Sequence, residues 1–227
     1  MKKNVLLLLL PLVFASVSCN RPTTSVNSLT EPSSAPIVSE EVEIATKEYE
    51  YTEIRKSTYI IKDNVTYYDE YSIKYYDEEK ALEYDLLTIT KYNDFSSPKL
   101  QSTTRQEVYY DGLYSYTLKQ DDMFYKEKNP IKVQKFKVGY NFELLDNLEV
   151  VTERNNKVVK GTVSDINRFF NKEKKNITKV DVSITLTGNR VSKYNLKYAI
   201  DEFEVEEEIK VGQFSINLAL PNNVIAK

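Results

Sequence analysis

The chain has 227 residues, with 31 lysines and arginines against 34 aspartates and glutamates, a formal charge of −3. It contains no histidine, which removes the commonest general base and triad partner and excludes zinc sites of the Cys/His kind. One cysteine allows no internal disulfide, and the mildly acidic balance argues against nucleic acid or an anionic bilayer surface as main partner.

Met1-Lys2-Lys3 opens the chain with positive charge, Val5 to Val17 is an apolar stretch, and Ser16-Val17-Ser18 leads up to Cys19. A spanning helix needs roughly 20 apolar residues, so this shorter run reads as a leader. The pattern resembles a bacterial lipoprotein signal, with Ser16 standing where the usual pattern has Leu or another aliphatic. The resemblance implies a signal peptide over 1–18, lipidation of Cys19, and a protein held at the membrane on the extracytoplasmic side. A free thiol in an ordinary secretory leader is the alternative. Asn20 to about Thr46 holds Pro22, Pro32 and Pro36 among many Ser and Thr, which reads as a disordered tether over 19–46. A single β-rich domain is expected over 47–227.

From Tyr49 on, the dominant signal has period two. Tyr67-Tyr68-Asp69-Glu70 recurs as Tyr75-Tyr76-Asp77-Glu78, the first copy expected within a strand and the second running into the turn before Leu82–Tyr92. Asp111-Gly112 and Asn155-Asn156 each sit between strand-forming runs and mark hairpin turns. Asn141 to Leu148 places Phe142, Leu145 and Leu148 at helical spacing. Ser164-Asp165 can cap a second helix bearing Ile166, Phe169 and Phe170, with Lys172, Lys174 and Lys175 at its C-terminal end.

Val180, Val182, Ile184 and Leu186 alternate with Asp181, Ser183, Thr185 and Thr187, the mark of a strand with one buried face. A two-residue loop at Gly188-Asn189 pairs Ile184 with Lys193 and Val182 with Asn195. An odd-length loop pairs Ile184 with Tyr194, Val182 with Leu196 and Val180 with Tyr198, keeping apolar with apolar, and is the expected register. Phe214, Ile216, Leu218 and Leu220 alternate in the same way and predict a last strand ending at Pro221. The fold class is mainly β (α+β): a curved antiparallel sheet or half-barrel with two short amphipathic helices.

Few residues suggest chemistry. Ser96-Ser97-Pro98-Lys99 has the serine-to-lysine spacing of penicillin-interacting enzymes but lacks their companion Ser-Asp-Asn and Lys-Thr-Gly segments. Asp201, Glu202, Glu204, Glu206, Glu207 and Glu208 form an acidic run without a calcium-loop pattern. Phe203, Val205, Ile209 and Val211 interleave with these acids, so the run reads as the charged outer face of a strand. Tyr49, Tyr51, Tyr59, Tyr67, Tyr68, Tyr71, Tyr75, Tyr76, Tyr84 and Tyr92 crowd the first half of the chain. They suit half-wet sheet faces, and alternatively offer a platform for glycan, peptidoglycan or a protein partner. No metal or other cofactor is expected, and no enzyme activity.

The order of elements resembles the LolA/LppX/LprG-like lipoproteins: lipidated cysteine, tether, antiparallel meander, two short helices and the run Phe214–Pro221. The helix that precedes their first strand is not evident in this sequence. The resemblance implies a curved sheet wrapped around helices, enclosing an apolar cavity for a lipid or other hydrophobic ligand. The residues expected to line that cavity are Phe142, Leu145, Leu148, Ile166, Phe169, Phe170, Val182, Ile184 and Tyr194, with ordinary core packing as the competing reading. The implied partners are the membrane, through Cys19, and that ligand.

Overall fold

The structure, a computed structural model, describes residues 39–92 and 100–226. The leader, Cys19, most of the tether and Ser96–Lys99 therefore lie outside the described residues. The described part is mainly β. A large curved sheet of twelve strands carries nearly all of it, and a separate two-stranded ribbon completes it.

The chain enters through a helix, α1 (Glu40–Thr46), over residues that were expected to belong to the tether. Ser39 caps it by accepting a hydrogen bond from the Val42 N–H at 3.4 Å, and Glu40, Glu41 and Glu43 complement the helix dipole. Ala45 is fully buried, with Val42 and Ile44 packed against the same core. This helix supplies the element before the first strand that the sequence did not reveal.

After β1 (Glu50–Tyr51), four long strands run as a meander: β2 (Glu53–Lys62), β3 (Val65–Asp77), β4 (Leu82–Tyr92) and β5 (Leu100–Tyr110). Both Tyr-Tyr-Asp-Glu copies fall as expected, the second ending β3 at the turn. The shorter β6 (Tyr114–Leu118) and β7 (Phe124–Lys128) follow. β8 (Phe136–Lys137) then returns to pair with β1, Tyr51 opposite Phe136.

The second half comprises β9 (Asp146–Glu153), β10 (Asn156–Val163), a one-turn helix α2 (Ile166–Phe169), β11 (Val180–Thr187), β12 (Arg190–Ile200) and β13 (Phe203–Gly212). β13 pairs with β2, which joins the two halves into one sheet. Along β11 the burial alternates strictly, and Val180 faces Tyr198, Val182 faces Leu196 and Ile184 faces Tyr194, the expected register. The means differ from an odd loop: Thr187 pairs Arg190 around a two-residue turn, and a bulge at Ser192, between Val191 and Lys193, restores the apolar match. The other hairpins are offset by one residue. At 111–114 the turn centres on Gly112 and Leu113, because the Asp111 carboxylate accepts the Leu113 and Tyr114 N–H groups and Gly112 takes a positive φ of 88°. At the next, Asn156 already pairs Glu153, leaving Arg154 and Asn155 as the loop.

Two expectations fail here. The helix expected over Asn141–Leu148 is a single 3-10 turn at Phe142–Leu144. Asn141 provides no side-chain cap, Leu145 is extended, and Asp146 already pairs with Thr162, so strand pairing takes the residues a helix would need. Leu148 thus lies on the edge strand β9, 39% exposed. The strand expected at Phe214–Leu220 keeps its alternating burial at Ile216, Leu218 and Leu220 but leaves Phe214 exposed and joins no ladder. Its backbone is held by side chains instead: Thr52 Oγ1 exchanges hydrogen bonds with the Phe214 N–H and C=O at 2.8 Å, and the Leu218 N–H donates to Asp77 at 2.9 Å. The segment crosses the strand ends and finishes as β14 (Val224–Ala226), parallel to β7.

The second helix forms as expected in place and cap, with Asp165 accepting from the Arg168 N–H at 3.3 Å. It spans one turn, so Phe170 is its C-cap and the three lysines follow it.

Candidate functional site

The residues chosen from the sequence split into a group and an outlier. Phe142, Leu145, Ile166, Phe169, Phe170, Val182, Ile184 and Tyr194 all belong to one buried cluster between the sheet and the helices. Within it Phe142 stacks on Tyr194 with ring centroids 4.4 Å apart, and Phe169 stacks on Tyr140 at 5.4 Å and meets Phe170 edge-on at 5.2 Å. These side chains fill the space between helix and sheet with one another. Leu148 is the outlier; its side chain lies where a Cβ on Gly161 would come within 3.1 Å.

The same interior holds a charge that sequence reading placed outside. Glu207 was grouped with the solvent-facing acids, yet it shares the parity of Val205 and Ile209 and is buried. Lys56, opposite Ile209 on β2, points the same way, and its ammonium lies 2.7 Å from the Glu207 carboxylate. Tyr198 donates to Glu207 at 2.6 Å and Tyr140 donates as well, so the carboxylate is fully engaged. Burial pushes the Glu207 carboxyl up, but Lys56 and the two tyrosines outweigh it and hold the group below the usual range. The network ties the 139–141 segment to the sheet.

Open space lies instead around the linker from α1 to β2. Tyr49 walls three clefts of about 680, 320 and 410 Å³, and Tyr51 joins it in the two smaller ones. The largest is lined by Glu48, Glu50, Asp77, Glu78 and Glu79 with Lys135, and the smallest by polar groups together with Tyr140 and two of the expected cavity residues, Phe142 and Tyr194. The third is apolar. Its floor is the end of the core: Val191 is buried, and Val211 and Tyr49 pack against the same cluster. Tyr51 closes one side, its hydroxyl bonded to that of Tyr194 at 2.9 Å, and burial pushes it up to about 12.

Phe214 forms the opposite lip, 62% exposed. Its ring folds back over Gly212, where a Cβ would stand 2.3 Å from the ring, so only glycine permits this pose. Thr187, Asn189, Arg190, Ser192 and Gln213 complete the rim. An exposed aromatic beside an apolar cleft of this volume makes it the candidate small-ligand site. None of the nine sequence-chosen residues lines it. The segments that build it, at 49–51, 187–192 and 211–214, are brought together by the β12–β13–β2 pairing and leave no motif.

A second surface was anticipated in kind. On the face opposite the core, Tyr75, Tyr84 and Tyr109 stand side by side across β3, β4 and β5, with centroids 6.0 and 4.7 Å apart. All three are half-buried. Among the described residues no group of three or more His, Cys, Asp or Glu is arranged to hold a metal, and no helix is long and apolar enough to cross a membrane. No protein-family model and no curated protein matches this chain, so its function must be read from its own residues.

Proposed function

We propose that this protein is a non-enzymatic lipoprotein of the cell envelope, anchored through Cys19, that binds a hydrophobic ligand in the apolar cleft between Tyr51 and Phe214. The observation that carries the reading is the cleft itself: about 410 Å³, floored by Val191 and Val211 and open to solvent beside an exposed phenylalanine. Burial of apolar ligand surface, worth on the order of 25 cal/mol per Å², supplies the affinity. The leader and Cys19 support the location at a membrane surface. The likeness to LolA/LppX/LprG-like proteins belongs to this proposal too; helix α1 before the first strand and the curvature of the sheet support it. The ligand position differs from the one that likeness implies, because eight of the nine expected residues belong to one buried cluster and none of the nine borders the apolar cleft.

Native mass spectrometry of the purified full chain, followed by organic extraction, tests the reading. A stoichiometric hydrophobic adduct that is lost in Phe214→Ala supports it. A bare mass, unchanged after incubation with lipid vesicles, overturns it. Incorporation of labelled palmitate, abolished in Cys19→Ser, tests the anchor separately.

The aromatic row Tyr75–Tyr84–Tyr109 favours a second reading, a platform for glycan or peptidoglycan. That reading requires pull-down on insoluble peptidoglycan that fails in Tyr84→Ala and survives Phe214→Ala.

A further inference from the structure

The three clefts around Tyr49 differ in charge as well as polarity. The two polar ones carry carboxylates: Glu48, Glu50, Asp77, Glu78 and Glu79 in the largest, Glu48 and Glu143 in the smallest. The apolar cleft has no acidic side chain in its wall, and its one charged residue is Arg190. Arg190 is exposed and opens β12 directly after the Gly188-Asn189 turn, paired with Thr187. Among the described residues it has no ion pair and no side-chain hydrogen bond, while the lysines further along the same strand are matched, Lys193 with Glu208 at 3.3 Å and Lys197 with Glu206 at 2.5 Å. An unmatched guanidinium at the mouth of a cleft that ends in Val191 and Val211 is a polar head site over an apolar floor.

We infer that Arg190 engages a carboxylate, and that the cleft takes a single-chain anionic amphiphile of the fatty-acid type. This rests on the reading of the cleft as the ligand site. Three features select that class. A guanidinium forms two parallel hydrogen bonds to a carboxylate and draws no comparable gain from a neutral alcohol or a cation. The absence of acidic groups in the wall removes the repulsion that an anion meets in the neighbouring clefts. The volume lies in the lower part of the range for ligand pockets, which suits one chain rather than a two-chain lipid. The arrangement places the head at the turn 187–190 and the chain between Tyr51 and Phe214, against the end of the core.

Isothermal titration of the full chain with dodecanoate and with dodecanol, both below their aggregation thresholds, separates head from chain. The expected result is dodecanoate binding about tenfold more tightly than dodecanol, a typical gain for a charge-assisted contact at a partly exposed site. Arg190→Gln should bring dodecanoate down to the level of dodecanol and leave dodecanol unchanged, with Arg190→Lys between the two. Because Arg190 is an exposed turn residue, thermal unfolding of the variants should match the parent. Equal affinity for both compounds, insensitive to Arg190→Gln, overturns the carboxylate assignment while leaving the hydrophobic site standing. Failure of both compounds to bind overturns the inference together with the cleft on which it rests.

Discussion

The two halves of the sheet use the same backbone geometry and opposite side-chain logic. In β11–β13 the strands turn apolar residues to the helices and, Glu207 apart, charged ones to solvent; Val180, Val182, Ile184 and Leu186 are buried to within 2%. The outward side of these strands is a lattice of ion pairs, Lys193–Glu208–Lys210 and Lys197–Glu206. In β3 and β4, by contrast, almost every residue is half-buried on either side, and tyrosine stands on both faces. One half is a layer with a core. The other is an extension of it, held by main-chain ladders, cross-strand aromatic contacts and the 213–223 segment across its strand ends. A strand earns burial from what packs over it, and the helices cover only one half.

This contrast can be broken or sharpened by substitution, with the largest effect in the covered half. Phe169→Ala removes a fully buried ring that meets Tyr140, Phe142 and Phe170. It should cost about 3–5 kcal/mol in denaturant unfolding. At the seam, Lys56→Met strips Glu207 of its cation and leaves a buried carboxylate, an expected loss of about 3 kcal/mol. The double variant Lys56→Met with Glu207→Leu should recover much of that loss, because the unpaired charge goes too. In the open half, Tyr84→Ala severs contacts with Tyr75 and Tyr109 and should cost only about 1–2 kcal/mol. Hydrogen exchange should follow the same order, slow in β11 and β12 and faster in the centre of β3 and β4.

A separate effect is a pH dependence. Burial, then the neighbouring Asp85, raises Glu83 to about 7, with Lys74 opposing. A carboxyl whose folded pKa is raised adds stability that is fully present below its unfolded value near 4.5 and is lost as pH rises through about 7. Thermal unfolding between pH 4 and 8 should therefore show a decline that Glu83→Gln flattens.

How far these features were legible follows from how local their causes are. The β11–β12 register was readable because one slip would have set Lys193 and Asn195 against apolar residues, and the structure spends a bulge to avoid it. Burial of Glu207 was also readable in principle, since it keeps step with Val205 and Ile209, but its partner Lys56 is distant in sequence and nothing in the acidic run announces it. The tyrosine strands concealed their faces because tyrosine tolerates both. Phe214–Leu220 showed a true alternation, yet a strand needs a neighbour, and Thr52 and Asp77 supplied hydrogen bonds in place of one. Helix α1 was missed among the Ser, Thr and Pro of the tether, although Ser39 followed by Glu40 and Glu41 is a start signal. The cleft had no sequence signature, for it is made by three segments meeting at the end of a core.

The most direct test is where a hydrophobic ligand touches the protein. Methyl and aromatic NMR shifts should be followed as dodecanoate is added to the full chain. Changes centred on Val191, Val211, Tyr51 and Phe214 are expected, with Phe169 and Ile184 unmoved. Changes centred on Phe169 and Ile184, or on Tyr75, Tyr84 and Tyr109, would contradict the assignment of the cleft as the binding site.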